Sequence, residues 1–413
     1  MNNMGTTSFN DFPKETTAEI LLRLPVKDLI RSTSVSKTWY SLITDPSFIS
    51  DQIRKAVSCC NHNSLLIIPT NTSHQNYCSL ISTDTSSLFE KFDIPFQTNT
   101  RTLKLVTEVH RLLLLTDLYM IYAYRELYLW NPYVKTHRVL VSSCFKKPLD
   151  ALFTTYCVAG MGFDEATNDY KIVRIFYVED DKRKRFGVVA PKVEIYSLRK
   201  NTWRKMKNTR VPRFVYERGV YVNGCYYWLE KNESRFAEAN NSYGNKLRIM
   251  FFDFQSEVFG EFEVPHDVPS DLGRCSPHKL MQFEDSLALC VLDSPLCDEG
   301  NSRFPCCIWL MRQENGVVNW TLRFRALLEE LGTPLDITKN EALILEAIRS
   351  RDLDVTSIIS CDLKTMIHKD HGFGKSMDPD VSIFDLDPST VDNSFPESLI
   401  MYEGGKLLLK YAK

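Results

Sequence analysis

The chain has 413 residues, of which 44% are hydrophobic and 25% charged, and its formal net charge is −2 at pH 7. This length predicts two or three domains, or one small domain followed by a repeat domain, and the near-neutral charge argues against broad binding to nucleic-acid phosphates. The polar first residues do not resemble a signal peptide, and no run of about 18 apolar residues occurs. We therefore expect residues 1–8 to be disordered, no membrane-spanning helix, and a reducing, cytoplasmic or nuclear location for the 12 cysteines.

Residues 9–54 follow a helical pattern. Ile20, Leu21 and Leu24 fall on one face of a first helix, which Pro25 ends because proline lacks an N–H group. Two further helices are expected, with apolar residues at Leu29 and Ile30 and then at Val35, Trp39 and Leu42. The pair Asp45-Pro46 predicts the start of a fourth helix, which carries Ile49 and Ile53.

Such a short helical module can bury little apolar surface by itself. It nevertheless carries more apolar residues than its own core requires, and an exposed apolar patch usually marks a surface for a partner. Two interpretations remain open at this point: a partner-binding module, or a helical cap on the following domain.

The same segment resembles the F-box of plant F-box proteins. The resemblance rests on Phe12-Pro13, Glu19-Ile20-Leu21, Leu24-Pro25-Val26, Val35-Ser36-Lys37 with Trp39, and the ending Asp45-Pro46-x-Phe48. Phe12 replaces the usual leucine, and Ser34 stands where the family often has cysteine.

The resemblance implies that this module binds a Skp-type adaptor and, through it, a cullin and a RING subunit. The residues that it assigns to the adaptor-binding surface are Pro13, Ile20, Leu21, Leu24, Pro25, Val26, Leu29 and Trp39. Some of these residues must instead hold the helices together, and the sequence does not separate the two groups.

Beyond a short linker at residues 55–64, residues 65–413 show a repeated β pattern. Six strand–turn–strand units are centred near Asp84, Asn131, Ser197, Asp253, Met311 and Asp362. A second motif, a strand after an exposed turn, occurs near Val222, Phe283, Lys339 and Tyr402. A β repeat of about 50 residues is typical of kelch-like propellers with four strands per blade.

We therefore predict an α+β multidomain protein, in which three or four helices precede an all-β kelch-like propeller of six units. Turns at Asn223-Gly224 and Gly404-Gly405 agree with β-hairpins, and Lys406–Leu409 is expected to close the ring by pairing with an early strand. A pair of packed open sheets is the alternative architecture.

This second part resembles the plant F-box-associated interaction domain. The resemblance rests on residues 130–140 (WNPYVKTHRVL), residues 160–175 (GMGFDEATNDYKIVRI), the segment around Ser197, the segment GVYVNGCYYWL, and Glu397-Ser398-Leu399. It implies recognition of a target protein, whose identity and triggering signal depend on loop residues that the family does not fix.

Motifs for catalysis or metal binding are incomplete. The segment HGFGKS at His371 has Lys369 where a phosphate loop needs its first glycine, and the pair His368 and His371 lacks further convergent ligands. Adjacent cysteines at 59–60 and 306–307 should point to opposite faces of a strand. The cluster 182–185 (KRKR) is typical of either a solvated loop or a nuclear import signal. We expect no catalytic residue, cofactor or metal.

Target contacts are expected on loops, because binding residues concentrate there. The candidates are residues 210–218, 230–243 and 295–304, whereas the strand aromatics are expected in the blade core: Trp203, Tyr226, Tyr227, Trp228, Phe251, Phe252 and Trp320. The leading hypothesis is the non-enzymatic substrate-recognition subunit of a Skp–cullin–F-box ubiquitin ligase. The rival hypothesis is a propeller enzyme or lectin with a helical cap.

Overall fold

The computed structural model describes most of the chain. The residues that it describes are 12–59, 64–67, 77–82, 88–97, 103–119, 123–140, 143–145, 155–178, 190–207, 211, 219–230, 247–268, 278–292, 304–314, 317–329, 332–338, 340–348, 356–371, 391–392 and 399–401. Among the helices in these ranges, none has the length and apolar character needed to cross a membrane. The expected disordered segment 1–8, the cluster 182–185, and the turn Gly404-Gly405 lie outside the described residues.

Four helices form the N-terminal module, as predicted, but the first ends at Leu21, so Leu24 lies outside the helix on which it was predicted. They are α1 (Lys14–Leu21), α2 (Val26–Ser32), α3 (Lys37–Ile43) and α4 (Pro46–Cys59). Helix α4 continues through residues 55–59, which were predicted to belong to the linker, so only four residues separate it from the first strand.

Local capping explains where these helices begin. Pro25 precedes α2 in an extended conformation, with φ −57° and ψ 151°. The side chain of Ser36 accepts a hydrogen bond from the backbone N–H of Trp39 and so caps α3. Asp45 accepts hydrogen bonds from the hydroxyl (2.6 Å) and the backbone N–H (2.9 Å) of Ser47, which lower the pKa of its carboxyl group.

The remaining described chain forms six four-stranded antiparallel sheets, which are the blades of a propeller. Blade 1 contains β1 (Ser64–Ile67), β2 (Tyr77–Ser82), β3 (Leu88–Asp93) and β24 (Val391–Asp392). Blade 2 contains β4 (Leu103–Val109), β5 (Leu112–Tyr119), β6 (Ala123–Asn131) and β7 (Thr136–Leu140). Blade 3 contains β8 (Thr155–Asp164), β9 (Asp169–Val178), β10 (Lys192–Ser197) and β11 (Thr202–Lys205).

The other three blades follow in chain order. Blade 4 contains β12 (Val220–Val222), β13 (Cys225–Glu230), β14 (Arg248–Asp253) and β15 (Val258–Glu263). Blade 5 contains β16 (His278–Phe283), β17 (Ser286–Leu292), β18 (Phe304–Glu314) and β19 (Val317–Leu328). Blade 6 contains β20 (Gly332–Ile337), β21 (Ala342–Ile348), β22 (Thr356–Asp362) and β23 (His368–Asp370).

The six repeated units correspond to the two outer strands of each blade, which form its outer hairpin. This correspondence confirms the predicted repeat. The second motif corresponds to the inner hairpins of blades 4, 5 and 6. At the blade 4 turn, Asn223 (φ 46°) and Gly224 (φ 81°) adopt the left-handed conformation that such a two-residue turn requires.

Within the described residues, β24 is the strand that closes the ring. Strand β1 pairs with β2 on one side and with β24 on the other, where Val391 and Asp392 pair with Ile67 and Leu66. Lys406–Leu409, the predicted closing strand, lies outside the described residues. Blade 1 therefore combines one strand from the C-terminal region with three from the start of the propeller.

The strand order places the connections on two opposite faces. Each blade is counted here from its inner strand, which is β24 in blade 1. The chain connections from the first to the second strand and from the third to the fourth contain two to five residues and join strand ends on one face. The remaining connections between strands join strand ends on the other face, and they range from three residues (120–122 and 329–331) to twenty (371–390). We call these the hairpin-turn face and the long-connection face.

Aromatic side chains fill the propeller core. Tyr226, Tyr227, Trp228 and Phe252 are buried, as predicted. Phe251, Trp203 and Trp320 are only half-buried, and the indole N–H of Trp320 donates a hydrogen bond across the blade boundary to the carbonyl of Glu263 at 3.2 Å.

Candidate functional site: the helical module and its junction with the propeller

The eight residues predicted to contact an adaptor differ in exposure. Leu21, Val26 and Leu29 are at most 1% exposed and belong to the core of the module. The other five are accessible: Pro13, Ile20 and Pro25 are exposed, whereas Leu24 and Trp39 are half-buried. The structure therefore separates a core group from a surface group, which the sequence pattern left mixed.

Three further apolar side chains of this module are exposed although they were not among the predicted adaptor contacts. They are Phe12 (46%), Val35 (64%) and Tyr40 (38%). Val35 was expected on the apolar face of the third helix, and this expectation was wrong because Ser36 caps α3 and leaves Val35 in the preceding turn. The capping serine was the signal in the sequence that could have placed Val35 outside the helix.

Apolar packing joins the helical module to the propeller. A single buried cluster contains Leu29 and Ile43 of the module, Trp130 of blade 2, and Leu399 of the C-terminal segment. A surface ion pair between Lys27 and Glu90 bridges α2 and blade 1.

Two buried hydrogen bonds fix the C-terminal segment between α4 and blade 2. The backbone N–H of Leu399 donates to Oε1 of Gln52 at 3.2 Å, and Nδ2 of Asn131 donates to the carbonyl of Ile400 at 2.9 Å. Gln52, Asn131, Leu399 and Ile400 are all at most 6% exposed. A fixed rather than mobile arrangement of the two domains follows, because leaving any of these buried polar groups unpaired would be costly.

This junction lies on the hairpin-turn face. Strand β1 starts on that face four residues after α4, and β24 ends there before the segment 399–401. Tyr133 and Val134, in the turn between β6 and β7, belong to the same buried cluster as the helical residues. The long-connection face is therefore opposite the helical module.

All three candidate target loops connect strands on the long-connection face. The first joins blades 3 and 4, the second joins β13 to β14, and the third joins β17 to β18. Except for Val211, Glu230 and Phe304, their residues lie outside the described part of the chain.

The histidine and cysteine motifs do not converge. His368 lies opposite Cys361 in the β22–β23 register, but Nε2 of His371 hydrogen-bonds Oγ of Ser360 at 2.9 Å. Cys306 is buried whereas its neighbour Cys307 is half-buried, as expected for opposite faces of a strand. Within the described residues, no group of three or more His, Cys, Asp or Glu side chains could hold a metal ion. Cys59 ends helix α4, so the expectation that the pair at 59–60 lies on a strand was wrong. The side chains of this pair and the lysine of HGFGKS lie outside the described residues.

Comparison with known proteins agrees with this arrangement. The F-box domain model matches residues 9–51, and the F-box associated beta propeller domain model matches residues 82–400. The F-box protein CPR1 of Arabidopsis thaliana is 24% identical over 327 residues, which cover 76% of this chain and 72% of the relative. The F-box/kelch-repeat protein At3g23880 of the same organism is 27% identical over 349 residues, which cover 82% of this chain and 85% of the relative.

Similarity to solved structures is weaker. The hypothetical selenium-binding protein ST0059 of Sulfolobus tokodaii shares 11% identity, with a TM-score of 0.39 and coverage of 77% of this chain and 75% of that protein. This likeness carries no argument about function. The match over residues 82–400, together with the six observed blades, shows that the chain belongs to the F-box-associated beta propeller family and carries an F-box domain ahead of its propeller.

Proposed function

We propose that this chain is the non-enzymatic substrate-recognition subunit of a Skp–cullin–F-box ubiquitin ligase. The observation that carries the proposal is a small helical module that exposes apolar side chains while it is held against a propeller by buried hydrogen bonds. Large apolar side chains in water are costly, and a contiguous set of them usually marks a partner surface.

The proposed adaptor contact uses the accessible residues of the F-box. Pro13, Ile20, Leu24, Pro25 and Trp39 would bury their apolar surface against the Skp-type adaptor, and through it the chain would join the cullin and RING subunits. Leu21, Val26 and Leu29 support this surface from the core below it.

The proposed target surface is on the opposite side of the propeller. The long connections supply sequence variety there, whereas the short turns and the F-box occupy the other face. The receptor would promote ubiquitin transfer by proximity and orientation, because a fixed junction limits the positions that a bound target can take. We expect this activity in the cytoplasm or nucleus, in accord with eight described cysteines that are all free.

The proposal is tested by measuring the affinity of the full-length chain for a purified plant Skp-type adaptor. The double variant Leu24→Asp, Pro25→Ala should lose binding. The matched control is Leu327→Asp, Pro305→Ala, which makes the same two chemical changes at a cross-strand pair on the outer edge of blade 5.

Leu24 is partly packed against the module core, so its substitution could unfold the helices. The variant Ile20→Asp changes an exposed site, so its helical content and thermal unfolding should match the wild type. Loss of adaptor binding by this folded variant separates a lost contact from unfolding. Absence of binding by folded wild-type chain, or equal losses in the blade 5 control, would refute the proposal and turn attention to the propeller as an enzyme or lectin.

A further inference from the structure

Two lysines converge on one aromatic ring at the outer part of blade 3. The ammonium nitrogens of Lys192 and Lys205 lie 5.8 and 5.0 Å from the ring centre of Phe145. Both lysines are exposed, and the ring is half-buried. We call Lys192, Lys205 and Phe145 the blade 3 cationic cluster.

Glu194, which lies opposite Lys205 in the β10–β11 register, is already neutralised. Oε1 of Glu194 accepts a hydrogen bond from Nε of Arg174 at 2.7 Å in a fully buried ion pair. Oε2 of Glu194 accepts hydrogen bonds from the hydroxyl of Ser143 at 2.9 Å and the backbone N–H of Cys144 at 2.8 Å. Glu194 is therefore occupied, and within the described part of the chain no carboxylate pairs with Lys192 or Lys205.

The surrounding sequence is strongly basic although the chain is not. From Lys192 to Lys207 there are six basic residues, Lys192, Arg199, Lys200, Arg204, Lys205 and Lys207, and one acidic residue, Glu194. The complete chain has a net charge of −2. Arg199 and Lys200 lie in the turn at the opposite end of the β10–β11 hairpin, and Arg204 pairs with Glu257, so Lys192, Lys205 and Lys207 supply the positive charge at the cluster. Such a local excess attracts an anionic partner to one place on a protein surface.

The position of the cluster matches the proposed target surface. Lys192 is the first residue of β10 and Lys205 is the last residue of β11. Both strand ends lie on the long-connection face, opposite the F-box. Phe145 belongs to the connection between blades 2 and 3, which lies on the same face.

We infer that the blade 3 cationic cluster binds an acidic segment of the target protein, with anionic side chains on Lys192 and Lys205 and an apolar or aliphatic neighbour on Phe145. This inference rests on the proposed receptor function and specifies the chemistry of its target. The anionic groups are carboxylates or phosphoryl groups, since either pairs with ammonium. A protein segment is favoured over nucleic acid, because the overall negative charge of the chain disfavours a long polyanion.

The test uses the full-length chain in complex with the Skp-type adaptor and measures fluorescence anisotropy with short labelled peptides. The probes are a glutamate-serine peptide, the same peptide with phosphorylated serines, a glutamine-serine peptide, and an oligothymidylate of similar length. The acidic peptides should bind, more weakly as salt increases, and the glutamine peptide should not. Comparison of the two acidic peptides distinguishes carboxylate from phosphoryl recognition.

The variant Lys192→Glu, Lys205→Glu should weaken acidic-peptide binding by about tenfold or more, because two attractive contacts become repulsive. The control Lys200→Glu, Arg325→Glu changes the net charge equally at exposed sites away from the cluster and should have less than about a twofold effect. The inference fails if both variants weaken binding equally, if no acidic peptide binds, or if only the oligothymidylate binds. Adaptor affinity of the variants is measured in parallel, so a failure of the cluster is distinguishable from a failure of the receptor proposal.

Discussion

Oε1 of Gln52 accepts a hydrogen bond from the backbone N–H of Leu399 at 3.2 Å, and so connects helix α4 to a segment 347 residues further along the chain. Both residues are buried. Because Ile400, the next residue, accepts a hydrogen bond from Asn131 of blade 2, the C-terminal segment links the F-box to the propeller.

The variant Gln52→Leu should therefore destabilise the chain. It removes a buried acceptor and leaves the N–H group of Leu399 unsatisfied, which costs about 1–3 kcal/mol in the free energy of unfolding. Urea denaturation measures this loss, and hydrogen exchange of the Leu399 amide should become faster. The adjacent exposed variant Asp51→Ala, which breaks only a surface pair with Arg54, should change stability by less than about 0.5 kcal/mol. Equal unfolding free energies for the two variants would contradict a stabilising hydrogen bond between Gln52 and Leu399.

The two groups of F-box residues should respond differently to truncation. Leu29→Ala removes a side chain that is 0% exposed and should cost about 2–5 kcal/mol. Ile20→Ala removes a side chain that is 37% exposed and should cost less than about 1 kcal/mol. Thermal unfolding measures both effects. If Ile20 contacts the adaptor, Ile20→Ala should nevertheless reduce adaptor affinity, and an unchanged affinity would remove Ile20 from the proposed surface.

Blades 3 and 4 are joined by a buried charge network. Nζ of Lys171 lies 2.7 Å from Oδ2 of Asp164, 2.8 Å from Oε1 of Glu257 and 3.1 Å from the carbonyl oxygen of Phe254. Lys171→Met should destabilise the chain by about 3 kcal/mol, because it leaves two carboxylates without their shared cation. Arg204→Met affects only the exposed partner of Glu257 and should cost less than about 1 kcal/mol in the same denaturation experiment.

The same network predicts a pH dependence. Burial alone would raise the pKa of Asp164 and of Glu257, but hydrogen bonds and charge from their basic partners outweigh it and lower both pKa values. A lowered folded-state pKa stabilises the protein above the ordinary values of 3.8 and 4.5, and this stabilisation is lost as the pH falls through the folded-state pKa. Unfolding free energies should thus decrease in acid below about pH 4.5 more steeply for the wild type than for Lys171→Met. If the unfolding free energies of the wild type and Lys171→Met fall equally steeply in acid, Lys171 is not what lowers these two pKa values.

Close packing between blades 3 and 4 makes Gly162 sensitive to substitution. A Cβ atom at this position would lie 2.1 Å from the ring of Phe254. Gly162→Ala should therefore cost about 1–3 kcal/mol by overpacking. The double variant Gly162→Ala, Phe254→Leu should recover part of the loss that the two single variants predict together, as a double-mutant cycle of unfolding free energies would show. If the free-energy losses of the two single variants simply add, the ring of Phe254 is not what restricts the size of residue 162.

The sequence predicted the helices and strands more accurately than the residues that are exposed on the surface. Helix starts were readable because proline and Asp45 act through local backbone chemistry, and the six outer hairpins were readable because polar turns separate apolar strands. The inner hairpin of blade 2 was missed, since its turn residues, His110 and Arg111, adopt positive φ values without the usual glycine or asparagine.

The spacing of apolar residues could not predict which residues of the candidate site are exposed. Leu21 and Ile20 are adjacent and equally apolar, yet one is 0% and the other 37% exposed. Each of the three short helices buries only two residues, so no single apolar face can be read from the sequence. The contact between Gln52 and Leu399 was equally inaccessible, because it depends on how the ring of blades returns the C-terminal segment to α4.

In the proposed receptor, the F-box binds the adaptor while the long-connection face stays available for a target. Amide hydrogen exchange of the full-length chain, with and without saturating Skp-type adaptor, tests both parts in one measurement. We predict slower exchange in α1, α2 and α3 and unchanged exchange at the strand ends on the long-connection face, including those at Lys192 and Lys205. Protection of that face by the adaptor, or unchanged exchange throughout the three helices, would contradict the account.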